Sequence, residues 1–75
     1  MSYIICMRIF AERLKELREE KGLSKLALGI QLDISNVSIF RWENSQQDIT
    51  SDNLQKIADY FRVTTDYLLG RTDEI

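Results

Sequence analysis

The sequence of 75 residues contains no histidine, no proline and only one cysteine, Cys6. A single cysteine excludes an internal disulfide bond, and we interpret Cys6 as a small apolar residue that stays reduced in the cytoplasm. Histidine and a second cysteine are the usual ligands of a zinc site, so we expect no zinc and no other cofactor. The absence of proline and the presence of only three glycines favour an all-helical chain, since both residue types interrupt helices.

Long apolar runs are also absent. The longest one, Tyr3–Met7, is too short to span a bilayer, and it lacks the basic start and the length of a secretion signal. Apolar residues nevertheless make up 44% of the chain, which is enough to bury a compact core in one small domain. We therefore expect a single cytoplasmic domain that makes no contact with a membrane.

The residues needed for catalysis are missing as well. The sequence shows no nucleophile with a matched base, no phosphate-binding loop and no metal cluster. Carboxylates such as Glu16, Glu19 and Glu20 are interpreted as the solvated face of a helix. We therefore do not expect an enzyme.

Hydrophobic periodicity predicts a first helix from about Ile9 to Lys21. Phe10, Leu14 and Leu17 recur at helical spacing and share one face, and Gly22 is suited to end the helix in a left-handed conformation. The predicted core of the whole domain comprises Phe10, Leu14, Leu17, Leu28, Leu32, Ile34, Ile39, Trp42, Leu54, Ile57, Ala58, Phe61, Val63 and Leu68.

Serine and threonine N-caps predict the remaining helices, because their hydroxyls accept hydrogen bonds from free backbone N–H groups in a first turn. The caps and helices are Ser24 before 25–32, Ser35 before 36–44, Thr50 before a fourth helix through Phe61, and Thr64 before a short helix ending at Gly70. Only a short turn at Asp33 separates the second helix from the third. This is a helix-turn-helix arrangement, whose second helix can lie in the major groove of DNA.

We divide the chain into a helix-turn-helix domain at 8–71, an N-terminal extension at 1–7 and a C-terminal tail at 72–75. Three structures are compatible with Tyr3–Met7: a short edge strand, a flap on the core and a disordered start. We favour some packing, because five exposed apolar residues are unfavourable in water.

The spacing of ten residues resembles that of the Cro/repressor-type (Xre) helix-turn-helix family. The matching positions are Leu23, Ser24, Leu28, Leu32, Ser35, Ile39, Arg41, Trp42, Glu43 and Asn44, and the segment Asp66–Gly70 resembles the last short helix of that family. The resemblance covers roughly residues 8–71. It implies an all-α, compact five-helix repressor-like fold that binds double-stranded DNA.

The resemblance also implies roles for individual residues. Base-reading positions are Asn36, Val37, Ser38 and Arg41, and contacts to the DNA backbone are Lys25, Ser35, Asn44, Gln46 and Gln47. Asn can bond adenine and Arg can bond guanine, each through two hydrogen bonds. The family pattern further implies a buried structural pair of Arg18 with Glu43, and dimer contacts from Tyr67, Leu68 and Leu69.

Several features depart from the family pattern. The formal net charge is −2, although affinity for duplex DNA comes largely from cations that neutralise phosphates. Gly29 replaces an alanine, Asp33 replaces the glycine of the turn, and Arg62 stands where glycine or asparagine is common. Three apolar residues, Leu26, Ile30 and Phe40, occupy outward positions. They either pack against Tyr3–Met7 or form a site for a protein partner.

Two functions follow from these observations. The first is a sequence-specific DNA-binding transcriptional regulator, which we expect to repress by binding a partly palindromic operator as a homodimer. The alternative is a protein-interaction module, such as an antitoxin or the partner of an anti-repressor, that keeps the fold but binds DNA weakly.

Overall fold

The computed structural model describes residues 3–75, with side-chain environments from Ile4 onward. It contains five helices: α1 (Tyr3–Glu20), α2 (Lys25–Leu32), α3 (Asn36–Glu43), α4 (Ser51–Phe61) and α5 (Thr65–Leu68). No strand occurs in residues 3–75, so the all-α prediction is confirmed. None of the helices in this part of the chain combines the length and the apolar character needed to cross a membrane.

Each of the four later helices begins at its predicted N-cap. All four cap residues have an extended backbone conformation, and their side-chain oxygens accept hydrogen bonds from N–H groups in the first turns of α2, α3, α4 and α5. These residues are Ser24, Ser35, Thr50 and Thr64. Such a cap satisfies one of the free N–H groups at a helix start and contributes about 0.5–2 kcal/mol. These local bonds therefore fix where each helix starts.

A left-handed residue follows each of the five helices in residues 3–75, including Ser45 after α3 with a φ of 56° and Gly70 after α5 with a φ of 79°. Gly22 follows α1 with a φ of 68°, Asp33 follows α2 with a φ of 55°, and Arg62 follows α4 with a φ of 57°. Glycine adopts this conformation freely and Asp tolerates it. Arginine has no such compensation, so the end of α4 stores backbone strain.

All five helices contribute to the core: α1 and α2 pack on α3, α2 also contacts α4, and α5 contacts α1 and α4. The buried apolar side chains are Phe10, Ala11, Leu14, Leu17, Leu28, Leu32, Ile39, Trp42, Ile57, Ala58, Phe61 and Leu68. Three residues predicted for the core, Ile34, Leu54 and Val63, are only partly buried at its edge. Ala11 is buried although the periodicity did not single it out.

The start of α1 differs from the prediction. The helix begins at Tyr3 rather than Ile9, so residues 3–7 form neither an edge strand, a separate flap nor a disordered start. The favoured packing is confirmed for Met7, which is partly buried against the core, but not for Ile4 and Ile5, which are 70% and 49% exposed. Met1 and Ser2 lie outside the described residues. The physical reason for the earlier start is that no glycine or proline separates Tyr3–Met7 from the helix that follows. An established helix extends at little cost, because each added residue contributes one further hydrogen bond.

Candidate nucleic-acid interface

The turn between α2 and α3 is compact. The N–H of Ile34 donates to the carbonyl oxygen of Gly29 at 2.9 Å, while Asp33 turns the chain in the left-handed conformation. A Cβ atom at Gly29 would lie 2.5 Å from the carbonyl oxygen of Ile34. Glycine therefore allows a closer approach of the turn to α2 than any side chain permits at this backbone position.

The inward face of α3 is firmly packed. Ile39 and Trp42 are 0% and 1% exposed, and the indole Nε1 of Trp42 donates to the carbonyl oxygen of Asp48 at 3.2 Å. This bond ties the loop after α3 to the helix. The packing therefore fixes the orientation of α3, with its opposite face toward solvent.

The outward face of α3 carries the predicted base-reading residues. Asn36, Val37 and Arg41 are exposed and Ser38 is half-buried. The Arg41 guanidinium donates to the side-chain oxygen of Gln47 at 3.4 Å, a long and weak bond that a stronger acceptor can replace. The structure thus brings these four side chains to one surface, together with the exposed ring of Phe40.

A buried ion pair holds the carboxyl end of α3 against α1. Arg18 Nε and Nη2 donate to the two carboxylate oxygens of Glu43 at 2.7 and 2.9 Å, and the two side chains are only 8% and 3% exposed. The hydrogen bond to Glu43 raises the pKa of Arg18 above its ordinary value, and burial opposes this effect less strongly. Arg18 Nη1 also donates to the carbonyl oxygen of Leu23 at 2.8 Å, which fixes the segment leading into α2.

The predicted backbone-contact residues lie around both ends of α3. Ser35 accepts a hydrogen bond from the Val37 N–H at 3.1 Å, and its hydroxyl hydrogen remains able to donate. The Asn44 amide donates to the carbonyl oxygen of Phe40 at 2.8 Å and so caps the end of its own helix. Gln46 is exposed and Gln47 is half-buried. Lys25, the first residue of α2, places its ammonium 6.0 Å from the centre of the Phe40 ring.

A family model described as helix-turn-helix matches residues 14–68 of this chain. The chain belongs to the helix-turn-helix family, of the Cro/repressor type. Among its relatives is the HTH-type transcriptional regulator ImmR of Bacillus subtilis (strain 168), which is 36% identical over 64 residues, covering 85% of this chain and 50% of ImmR. Repressor protein C2 of Salmonella phage P22 is 31% identical over 62 residues, covering 83% of this chain and 29% of the phage protein.

Two solved structures share the fold. The P22 c2 repressor in complex with a synthetic operator superimposes with a TM-score of 0.75 at 32% identity, covering 80% of this chain and 91% of that one. The restriction-modification controller protein C.AhdI from Aeromonas hydrophila gives a TM-score of 0.75 at 27% identity, covering 83% and 94%. The present chain spans half or less of the length of ImmR and C2.

One of the predicted dimer contacts in this helix-turn-helix domain, Leu68, is wrong. Its side chain is 0% exposed and belongs to the protomer core, because α5 is anchored to α1 and α4 through it. Tyr67 is partly buried, and one face of its ring is covered by the Arg13 guanidinium, 4.1 Å from the ring centre. Leu69 is half-buried and lines an apolar groove with Cys6, Met7 and Leu54, among others.

Arg13 is a structural residue that the sequence did not single out. Its guanidinium donates to the carbonyl oxygens of Tyr67 and Thr72 and to the carboxylate of Asp73. These partners hold α5 and the tail against the middle of α1. No local sequence pattern predicts these contacts, because the partners of Arg13 lie 54–60 residues away from it along the chain.

The apolar residues on the outside of α2 and α3 stay uncovered. Leu26, Ile30 and Phe40 are 58%, 71% and 48% exposed. The first turns of α1 do not reach them, since Ile4 and Met7 border the loop at Ser45–Asp48 instead. Packing against Tyr3–Met7 was therefore the wrong explanation for these residues.

Proposed function

We propose that this helix-turn-helix domain is a sequence-specific DNA-binding transcriptional regulator that represses by occupying an operator as a homodimer. The observation that carries the proposal is the outward face of α3. Asn36, Val37 and Arg41 stand in solvent on a helix whose other face is fixed by Trp42 and by the Arg18–Glu43 pair. A rigid helix with free polar side chains is what direct reading of the major groove requires.

Base reading is assigned to the outward side chains of α3. Asn36 can bond the N6 and N7 atoms of adenine, and Arg41 can bond the O6 and N7 atoms of guanine. Val37 offers only apolar contact to a thymine methyl group, and Ser38 contributes one hydroxyl at the edge of this surface. We therefore expect an operator half-site that contains both an adenine and a guanine in fixed positions.

Contacts to the DNA backbone are assigned to residues at the edges of α3. The Lys25 ammonium lies where the N-terminus of α2 also favours a phosphate. Ser35, Gln46 and Gln47 can donate neutral hydrogen bonds, and Asn44 keeps one amide hydrogen besides the one that caps α3. Because few of these groups are cationic, one copy of the domain binds modestly, and two copies are needed for useful affinity.

The homodimer is assigned to the free part of the α5 surface. Leu68 is excluded by its burial, which leaves the half-buried Leu69 and Tyr67. Two domains related by a two-fold axis would meet half-sites about 10 base pairs apart, which is one turn of DNA. The relatives named as regulators and the P22 c2 repressor solved with an operator support the DNA-binding part of the proposal, whereas the homodimer is inferred from the surface of α5 alone.

Selection from randomised duplex DNA, combined with the mass of the complex, tests the proposal. We expect a partly palindromic site bound by two chains. A single asymmetric half-site bound by a monomer would contradict the homodimer, and equal binding of all sequences would contradict the regulator. We expect such a regulator to act in the cytoplasm, and its DNA binding requires neither catalysis nor a cofactor.

The exposed Leu26, Ile30 and Phe40 favour a second candidate, a protein-interaction module with weak DNA affinity. Apolar side chains of this size on one surface are a common feature of protein contacts. The discriminating variant is Leu26→Ser combined with Ile30→Ser. Unchanged operator binding together with lost binding to a protein partner would favour the module, whereas unchanged binding in both assays leaves DNA recognition as the function.

A further inference from the structure

A groove separates the first turns of α1 from the loop after α3. Ile4, Met7 and Arg8 line its α1 side, and the loop segment Ser45–Asp48 lines the other side. The three α1 residues follow one another at i, i+3 and i+4, so they share one face of the helix. The extension of α1 to Tyr3 therefore brings an arginine beside the loop that contains Gln46 and Gln47.

The charge of Arg8 is not neutralised within the described side chains. Arg13 pairs with Asp73 and Arg18 pairs with Glu43, but no carboxylate in residues 4–75 lies within ion-pair distance of Arg8. Arg8 is also exposed, so its guanidinium can reach a ligand without disturbing the core.

The position of Arg8 complements that of Lys25. Lys25 lies on the α2 side of α3, near Phe40. Arg8 lies beyond the carboxyl end of α3, where Gln47 both accepts the bond from Arg41 and lines the groove with Arg8. Cations thus flank the reading face from two directions, although the face between them is nearly neutral.

We propose that Arg8 binds a DNA phosphate together with the amide donors of Gln46 and Gln47, at the groove between α1 and the loop after α3. The inference rests on the proposed DNA-binding function and adds a residue of α1 to the interface. A guanidinium presents several donors in one plane, which suits phosphate oxygens. Phosphate contacts position a protein without reading bases, so Arg8 supplies affinity and not sequence preference.

Asp48 makes the proposal more specific. It lines the same groove, and its negative charge opposes the approach of a phosphate. Replacing it with the isosteric amide removes that repulsion. Asp48→Asn is therefore expected to strengthen binding to every duplex, in the opposite direction to the loss of Arg8.

The test measures binding of Arg8→Gln to the selected operator and to an unrelated duplex between about 50 and 200 mM salt. The slope of log affinity against log salt is negative, and losing one phosphate contact reduces its magnitude by about 0.9. The affinity advantage of the parent over the variant should accordingly shrink about 3.5-fold across that fourfold range of salt. Base preference should not change. Arg8→Lys should keep most of the slope, and Lys56→Gln, on the exposed face of α4, is the matched control.

The outcomes separate this inference from the proposed function. If Arg8→Gln keeps the parent slope on both duplexes, Arg8 does not bind phosphate, and the α3 interface is unaffected. If Arg8→Gln changes which bases are preferred, Arg8 reads sequence and the phosphate assignment is overturned. If the parent binds all duplexes equally, the regulator proposal fails, while the change of slope on the unrelated duplex still decides the role of Arg8.

Discussion

Arg18 and Glu43 join α1 to the last residue of α3 through a bidentate pair, with nitrogen–oxygen distances of 2.7 and 2.9 Å. The pair is buried, and the third guanidinium contact, to the carbonyl oxygen of Leu23, ties the same arginine to the entrance of α2. One side chain thereby connects three consecutive helices. The recognition helix is held by a charge interaction as well as by the packing of Trp42.

Replacing Arg18 with alanine should destabilise the fold and weaken DNA binding together. Removing one partner leaves the Glu43 carboxylate buried and unpaired, which costs about 3–5 kcal/mol. Thermal unfolding followed by circular dichroism measures the loss, and Arg18→Met with Glu43→Leu is the control that removes both charges. Equal melting temperatures for Arg18→Ala and the parent would show that the pair contributes nothing.

The same pair should not make the stability depend on pH in the neutral range. The Glu43 hydrogen bond raises the pKa of Arg18, so the stabilisation from its charge is fully present below the unfolded-state pKa and is lost only as the pH rises through the higher folded-state value. The difference in unfolding free energy between Arg18→Met and the parent should be the same at pH 7 and pH 9. A difference that shrinks over this interval would contradict the assignment.

Arg41→Ala should change which bases are preferred, whereas Lys25→Ala should lower affinity for all duplexes alike. Arg41 stands on the outward face of α3, and losing a bidentate contact to guanine costs about 1–3 kcal/mol at that base pair only. Lys25 would contact a phosphate, which is the same in every sequence. Binding of both variants to a panel of operator variants at two salt concentrations distinguishes the roles. A uniform loss for Arg41→Ala would reassign Arg41 to the backbone.

Arg13→Ala should loosen α5 and the tail without unfolding the domain. The variant loses hydrogen bonds to two backbone carbonyls and the stacking of the guanidinium on Tyr67, which together are worth about 1–3 kcal/mol. Hydrogen exchange should accelerate at residues 67–73 more than in α2 and α3. Asp73→Asn is the control, and because the Asp73 side chain is 98% exposed, we expect little change from it. Equal acceleration in all helices would indicate a global effect instead.

Arg62→Gly should stabilise the protein by about 0.5–1 kcal/mol. Arg62 has a φ of 57° at the end of α4, and this conformation costs a residue with a Cβ atom about 1–2 kcal/mol. Glycine avoids that cost, but its greater conformational freedom in the unfolded chain offsets part of the stabilisation. Asp33→Gly, at a φ of 55°, should give a smaller gain because Asp tolerates this region better. A lower melting temperature for Arg62→Gly would show that the arginine makes a compensating contact.

Local signals in the sequence were sufficient for most of the fold. The four N-caps depend on bonds spanning two or three residues, so the starts of α2 to α5 could be predicted from short segments. The start of α1 could not be predicted in this way, because the apolar run before Ile9 contains no helix-breaking residue and is compatible with both a strand and a helix. Leu68 was predicted both for the core and as a dimer contact, and its burial confirms only the core assignment. The sequence could not decide between the two, since a helix of 4 residues has no periodicity that separates an inward face from an outward one.

The surface of the candidate site was less predictable than its scaffold. The resemblance to the Cro/repressor-type family supplied the positions on α3 and the partner of Arg18. It offered nothing on Arg8 or Arg13, whose surroundings arise only when α1 is packed against the loop after α3 and against the tail. Such contacts join segments far apart in the chain, and only the assembled structure brings them together.

The separation of the two faces of α3 has a consequence for how such a protein can change. Asn36, Val37 and Arg41 make no contribution to the core, whereas Ile39, Trp42 and Glu43 hold the helix in place. Substitutions on the outward face therefore leave the free energy of unfolding almost untouched. Under the proposed function, a new operator preference can arise, or be engineered, by exchanging a few exposed side chains without any compensating change in the core.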